Sequence, residues 1–150
     1  MPSVVVTGGS GKAGRAAISE FLLHGYNVLN VDVAPPQEAV CHFLRADLTD
    51  FGEAVDALQL AAGTIDRRRA PIGTPAAVVH MAGIPAPGLA SDATVFQNNL
   101  ISTYNVFSAA TRAGLCAGTM MVNVLVTYGT AGASSSPSSI SDLTLPNPAK

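Results

Sequence analysis

The feature that most narrows what this chain can fold into is a glycine loop seated between a strand and a helix. Ser3-Val-Val-Val-Thr7 is a short β-branched run, and Gly8-Gly9-Ser10-Gly11 ends it. A run of this length bounded by turn residues reads as a buried strand. Residues 12–24 then change period. Ala17, Ile18, Phe21 and Leu22 fall on one face at helical spacing, and Gly25 follows as a C-terminal stop. The loop itself, Thr7-Gly8-Gly9-Ser10-Gly11-Lys12-Ala13-Gly14, satisfies G-x-G-x-x-G at Gly9, Gly11 and Gly14. It also satisfies GxxGxxG at Gly8, Gly11 and Gly14.

Such spacing supplies a tight turn, then bare backbone against a pyrophosphate, then close packing of helix on strand. Free N–H groups and the positive end of the helix dipole receive the phosphate charge. Asn27 to Val33 returns to strand character, and Asp32 near its end stands where the fingerprint needs an acid for the adenosine ribose hydroxyls. Its carboxylate would repel a 2′-phosphate, so the expected cofactor is NAD, with NADP disfavoured. The competing phosphate motif fails. A P-loop ending at Gly11-Lys12 needs glycine at position 6 and Ser or Thr at 13, where this chain has Val6 and Ala13.

Pro35-Pro36 break the chain and Cys41 to Ala46 suggests a third strand, joined to the second by a link too short for a helical crossover. A loop is expected there. Asp50 and Glu53 have capping-box spacing, and Phe51, Val55, Leu58 and Ala62 continue as an apolar helical stripe. Residues 63–75 read as a polar loop containing Arg67-Arg68-Arg69, and Ala76 to Met81 as a fourth strand. Asp92 to Ala113 predicts a helix with Phe96, Leu100, Tyr104, Phe107 and Ala110 in phase. Met120 to Thr127 could supply a fifth strand. This order implies an α/β fold with a mainly parallel sheet covered by helices. The expected division is an incomplete dinucleotide-binding domain over 1–130 and a Ser/Pro-rich disordered tail over 131–150.

Composition excludes several classes. Charged residues are only 12% and the net charge is −2, which argues against a phosphate-binding face for nucleic acid. Ala113 to Ser141 carries no charge, yet Asn123, Tyr128 and its glycines and serines interrupt it, so no membrane span is expected. Cys41 and Cys116 make no disulfide framework and no signal peptide is evident, which points to a cytoplasmic protein with reduced thiols. No metal site is expected.

With these residues in place, the chain from about Val4 to Gly114 resembles the extended short-chain dehydrogenase/reductase family, specifically its NAD-dependent epimerase/dehydratase group. Thr7 to Gly14 looks like the family's TGxxGxxG loop, and Asp32 like its ribose-binding acid. Asp47-Leu48 is similar to the pair after strand three, whose aspartate the family uses at the adenine ring. Val78-Val-His-Met-Ala-Gly83 resembles the strand-four segment lying along the cofactor. Asn99, Thr103 and Asn105 resemble the helix Asn-x-x-Gly-Thr-x-Asn, with Ser102 where glycine is usual. The resemblance implies a Rossmann-like, doubly wound sheet, truncated after about its fifth strand. It implies NAD held by Gly8, Gly9, Ser10, Gly11, Lys12, Ala13, Gly14, Asp32, Asp47, Leu48, Met81, Ala82, Gly83 and Asn99. It also implies a homodimer through the 92–113 helix. Plainer roles stand beside these: Asp47 capping a turn, His80 as a satisfied core histidine, Asn99 fixing backbone geometry, Lys12 and Arg15 in solvent.

The family's chemistry uses a tyrosine with a lysine four positions later, which lowers the phenol pKa. The lysines are Lys12 and Lys150, and Gly8 and Pro146 precede them by four; Tyr26, Tyr104 and Tyr128 are followed four later by Asn30, Ser108 and Gly132. No catalytic residue is therefore assigned. From Leu115 the family pattern fades, which suggests a shortened product through a shifted frame, a retained intron or an alternative transcript. The expectation is the NAD-binding portion of an oxidoreductase, epimerase or dehydratase acting on a sugar-like or other small hydroxyl or carbonyl substrate, catalytically incomplete in this chain. The alternatives are a non-catalytic dinucleotide-binding or interaction module, or an unstable truncated product.

Overall fold

The structure, a computed structural model, describes residues 1–63, 72–73, 75–85 and 88–115 of the 150. Four strands, β1 (Ser3–Thr7), β2 (Asn27–Asp32), β3 (His42–Arg45) and β4 (Ala77–His80), form one sheet in the order β3-β2-β1-β4. All three pairings are parallel: Val5 lies beside Leu29 and Val78, and Leu29 beside His42. Three helices cover the sheet: α1 (Lys12–Leu23), α2 (Phe51–Ala62) and α3 (Asp92–Arg112). The α/β parallel architecture is as the sequence predicts, including the loop between β2 and β3. The 63–75 loop falls largely, and the candidate fifth strand and the 131–150 tail wholly, outside the described residues.

Why β1 carries an uninterrupted apolar run is clear from its position. It is central, every residue in it is buried, and both faces are covered. Val4 and Val6 join Val28, Val79 and Ile18 under α1. Val5, pointing the other way, joins Leu29, Val31, Val78 and Leu58 under α2 and α3. Helix α1 ends at a glycine-stopped turn in which Tyr26 N donates to Phe21 O at 3.0 Å.

Two sequence expectations about helices need correcting. Phe96, Leu100, Tyr104 and Phe107 do not face the core: they are 66%, 54%, 67% and 48% exposed. The buried side of α3 is Asn99, Ser102, Asn105, Val106, Ala109 and Ala110, so of the predicted stripe only Ala110 is inside. Small residues win that side because α3 packs closely on the alanine side of α2, where Ala54, Ala57 and Ala61 are buried. For the same reason Phe51 lies at the surface, beneath the Arg112 guanidinium 5.0 Å from its ring centre. The second correction concerns the capping box. Asp50 accepts from Glu53 N at 2.9 Å as expected, but Glu53 Oε2 accepts from Asp47 N at 2.6 Å, not from Asp50 N. Asp50 N is already bonded to Asp47 O in the preceding turn, at 3.0 Å.

Candidate functional site

Because all four strands run the same way, their carboxyl ends at Thr7, Asp32, Arg45 and His80 open onto one edge of the sheet. The chain order reverses at β1, with β2 and β3 on one side and β4 on the other. Crevices form above such divides. A cleft of about 960 Å³ lies here.

Its floor is the glycine loop. Gly8 N donates to Val31 O at 2.8 Å and Gly11 N to Gly8 O at 3.1 Å, closing a turn in which Gly8 has φ +70°. A Cβ on Gly8 would meet Ala82 N at 2.5 Å, so the loops after β1 and β4 touch backbone to backbone. A Cβ on Gly14 would overlap the Gly8 carbonyl, which ties α1 tightly to the end of β1. Gly11 is different: at φ −74° its Cβ would meet only Gly8 O, at 3.3 Å, and it faces the cleft.

The start of α1 stands apart from the other two helices. Asp50 caps α2 and Ser91 caps α3, accepting from Glu53 N and Thr94 N, and each first turn holds an acid, Glu53 or Asp92. Helix α1 begins at Gly11 with no side-chain cap and no acid in its first turn. Its leading N–H groups and the positive end of its dipole therefore face the cleft without an anionic neighbour from the helix itself.

Ser10 fastens this floor to the end of β2. Its N–H donates to Asp32 Oδ2 at 2.9 Å, its hydroxyl donates to Ala34 O at 2.7 Å, and it accepts from Asn30 Nδ2 at 3.2 Å. Ala34 N donates to Asp32 Oδ1 at 3.1 Å. The Asp32 carboxylate is thus fixed on both oxygens, and each oxygen retains capacity for a further donor. Asn30 Oδ1 is buried with no partner of its own and lies where a Cβ on Gly9 would stand.

On the far wall, Asp47 Oδ1 accepts from Thr49 N at 2.9 Å and from Thr49 Oγ1 at 2.7 Å. These two donors, the hydroxyl first, hold the Asp47 carboxyl below its usual range, with Arg45 adding positive charge nearby. Asn105 Nδ2 donates to Leu48 O and Thr49 O at 2.9 and 3.1 Å, so α3 pins the turn that carries Asp47. Asn99 holds the opposite lip, accepting from Ile84 N at 2.8 Å and donating to Ile84 O at 3.2 Å. His80 is buried between Thr7 Oγ1 at 2.7 Å and Thr103 Oγ1 at 3.2 Å, and burial pushes its pKa down to about 4.

Of the residues singled out from the sequence, Gly8, Ser10, Gly11, Lys12, Ala13, Gly14, Asp32, Asp47, Leu48, Met81, Ala82 and Gly83 line the cleft. Gly9 and Asn99 do not. Gly9 is buried against Asn30 and Ile18, and the Asn99 side chain is committed to the Ile84 backbone. Lys12 and Arg15 are exposed, with Arg15 donating to Gln37. Sequence reading missed Val33, Ala34, Gln37, Thr49 and Ile84, which also line the cleft. Their one signal is position, since each follows the carboxyl end of a strand. Ser102, where glycine is usual, turns its hydroxyl back onto Asn99 O at 3.3 Å. Among the described residues no cluster of three or more potential metal ligands occurs, and no helix is long and apolar enough to cross a membrane.

Solved structures share this fold. A short-chain dehydrogenase from Leptospira borgpetersenii with bound NAD+ superposes with TM-score 0.59 at 21% identity, covering 74% of this chain and 45% of that one. UDP-glucose 4-epimerase from Thermus thermophilus, in complex with NAD, gives 0.59 at 25% identity, covering 75% and 35%. Uronate dehydrogenase from Agrobacterium tumefaciens gives 0.56 at 22%, covering 76% and 38%. This chain therefore spans less than half the length of each of these proteins. No curated protein sequence matches it. The model of the NAD dependent epimerase/dehydratase family matches residues 4–146, well past Gly114, so Leu115 marks the end of the recognisable motifs and not of the likeness. On that match over nearly its full length, and on the strand order and glycine loop described above, the chain belongs to the NAD dependent epimerase/dehydratase family.

Proposed function

We propose that this chain binds NAD in the cleft above β1 and β4, as the dinucleotide-binding portion of an oxidoreductase, epimerase or dehydratase. The observation that carries the reading is the uncapped, acid-free start of α1 facing the cleft beside the fixed carboxylate of Asp32. Gly8 makes the tight turn, Gly11 presents bare backbone to a pyrophosphate, Gly14 lets α1 pack close behind it, and the leading N–H groups of α1 take the charge. The Asp32 oxygens accept from the adenosine ribose hydroxyls, and the same charge repels a 2′-phosphate, so NAD is preferred over NADP. Asp47 and Leu48 border the adenine, and Met81, Ala82 and Gly83 run along the cofactor toward the nicotinamide. Bound NAD supplies a hydride acceptor.

A sugar-like or other small hydroxyl or carbonyl substrate fits the family, whose members above include a uronate dehydrogenase and a UDP-glucose 4-epimerase. Neither lysine stands four residues after a tyrosine. This chain therefore has no tyrosine–lysine acid/base pair, and it binds cofactor without turning substrate over. We place it in the cytoplasm on its cysteine usage.

Equilibrium titration with NAD and NADP tests the reading. NAD binds more tightly than NADP, and Asp32→Ala weakens NAD about 10- to 100-fold, the worth of hydrogen bonds to a charged group. Absence of binding at millimolar NAD overturns it. A second reading, self-association through α3, is favoured by the exposed Phe96, Leu100, Tyr104 and Phe107. Sedimentation of Leu100→Glu against the unaltered chain decides it: identical monomeric profiles at all concentrations remove the dimer.

A further inference from the structure

Thr7 and His80 are register partners at the carboxyl ends of β1 and β4, where the strand order reverses. Both side chains point to the α2–α3 face, as Val5 and Val78 do two residues earlier. The lengths of the contacts point to one arrangement of protons along the resulting chain. Thr103 has one hydroxyl proton and donates it to Asn99 O at 2.7 Å. Toward His80 Nε2, 3.2 Å away, Thr103 Oγ1 therefore accepts, and Nε2 carries the ring proton. Nδ1 is left as an acceptor, and Thr7 Oγ1 donates to it at 2.7 Å. The chain continues past Thr103, because Asn99, whose carbonyl takes the Thr103 proton, clasps both backbone groups of Ile84 with its amide.

We infer that His80, held in its Nε2–H tautomer, is a positioning residue that sets the two walls of the cleft against each other, from Thr7 and Gly8 on one side to Ile84 on the other. Gly8 and Ile84 both line the cleft, and His80 itself does not. Only a side chain that accepts at one end and donates at the other fits between two hydroxyls whose protons are so directed. The ring is buried, so water does not substitute for either partner. This inference rests on the proposed dinucleotide site for its functional consequence and on geometry alone for the bridge.

The test compares the unaltered chain with His80→Gln, whose amide keeps one acceptor and one donor, and with His80→Phe, which keeps neither. Thr103→Val, at a half-buried position, breaks the bridge more mildly. Amide hydrogen exchange is read at Gly8, Ile84 and, as a core reference, Val5, alongside NAD titration. The expected result is exchange at Gly8 and Ile84 faster by roughly threefold to thirtyfold relative to Val5 in His80→Phe, a smaller effect of the same pattern in Thr103→Val, and restoration in His80→Gln. NAD affinity falls and recovers in parallel. Ring-nitrogen NMR of the unaltered chain shows His80 as the single Nε2–H tautomer. Uniform acceleration at all three amides without rescue by glutamine overturns the inference, as does an Nδ1–H ring. If the unaltered chain binds no NAD, the functional proposal fails while exchange at Gly8 and Ile84 still decides the bridge.

Discussion

Replacing Gly8 with alanine separates two causes of strain that usually arrive together. At φ +70° an L-residue pays about 1–2 kcal/mol for the left-handed conformation itself. At Gly8 the new Cβ also lies 2.5 Å from Ala82 N and 2.6 Å from its Cα, which are backbone atoms of the neighbouring loop. Forcing extra atoms into such a contact costs roughly 1–3 kcal/mol more, so Gly8→Ala should lose about 2–5 kcal/mol in all. Gly25 supplies the control: it has φ +76° and nothing within 4 Å of the place a Cβ would occupy, so Gly25→Ala carries the conformational part alone. With a urea slope of about 2 kcal/mol per molar, the midpoint should fall by roughly 1–2.5 M for Gly8→Ala and by at most about 1 M for Gly25→Ala. Equal midpoint shifts in the two variants would refute the claim that the loops after β1 and β4 meet backbone to backbone.

Three further outcomes follow from particular contacts. Gly11→Ala, with a Cβ that meets only Gly8 O at 3.3 Å, should leave the urea midpoint nearly unchanged while its methyl enters the cleft and weakens NAD binding; a large loss of stability would contradict the loop geometry. Burial lowers the His80 pKa from 6.5 to about 4, so the unfolded chain binds the proton more readily than the folded one. That contribution to stability is intact above about pH 6.5 and is lost as pH falls toward 4, amounting to about 3 kcal/mol. Urea unfolding at pH 7 and pH 5 should show a smaller acid loss in His80→Gln than in the unaltered chain. Asn105→Leu removes the donor shared by Leu48 O and Thr49 O and should cost about 1–3 kcal/mol, measured by thermal unfolding; a neutral effect would mean that α3 does not secure the Asp47 turn.

The parts of this molecule that are legible in the sequence are those fixed by local chemistry. The glycine loop announces itself because Gly8 and Gly14 each meet backbone where a Cβ would stand, and Asp32 because it closes β2 beside that loop. His80 also reads as a satisfied core histidine, since an apolar strand end leaves it few other uses, whereas Asn99, expected at the cofactor, spends its amide on the Ile84 backbone. Helix α3 is harder. Its period is plain, but two faces carry apolar residues, and periodicity alone does not say which one meets α2. Close approach between alanine-rich helices selects the face of Val106, Ala109 and Ala110 over the aromatic one. The fastening role of Ser10 is not legible because its partners, Asn30, Asp32 and Ala34, stand 20, 22 and 24 positions further along the chain.

The common direction of the four strands has a practical consequence for handling the protein. Every strand begins on the side away from the cleft, near Ser3, Asn27, His42 and Ala77. A five-residue strand such as β1 separates the two edges by about 17 Å. An affinity tag or fusion partner attached at Met1, or an insertion in the Gly25–Tyr26 turn, therefore sits on the opposite edge from the cleft. The loops that follow strands are the ones to leave intact when the chain is immobilised, labelled or grafted onto another scaffold.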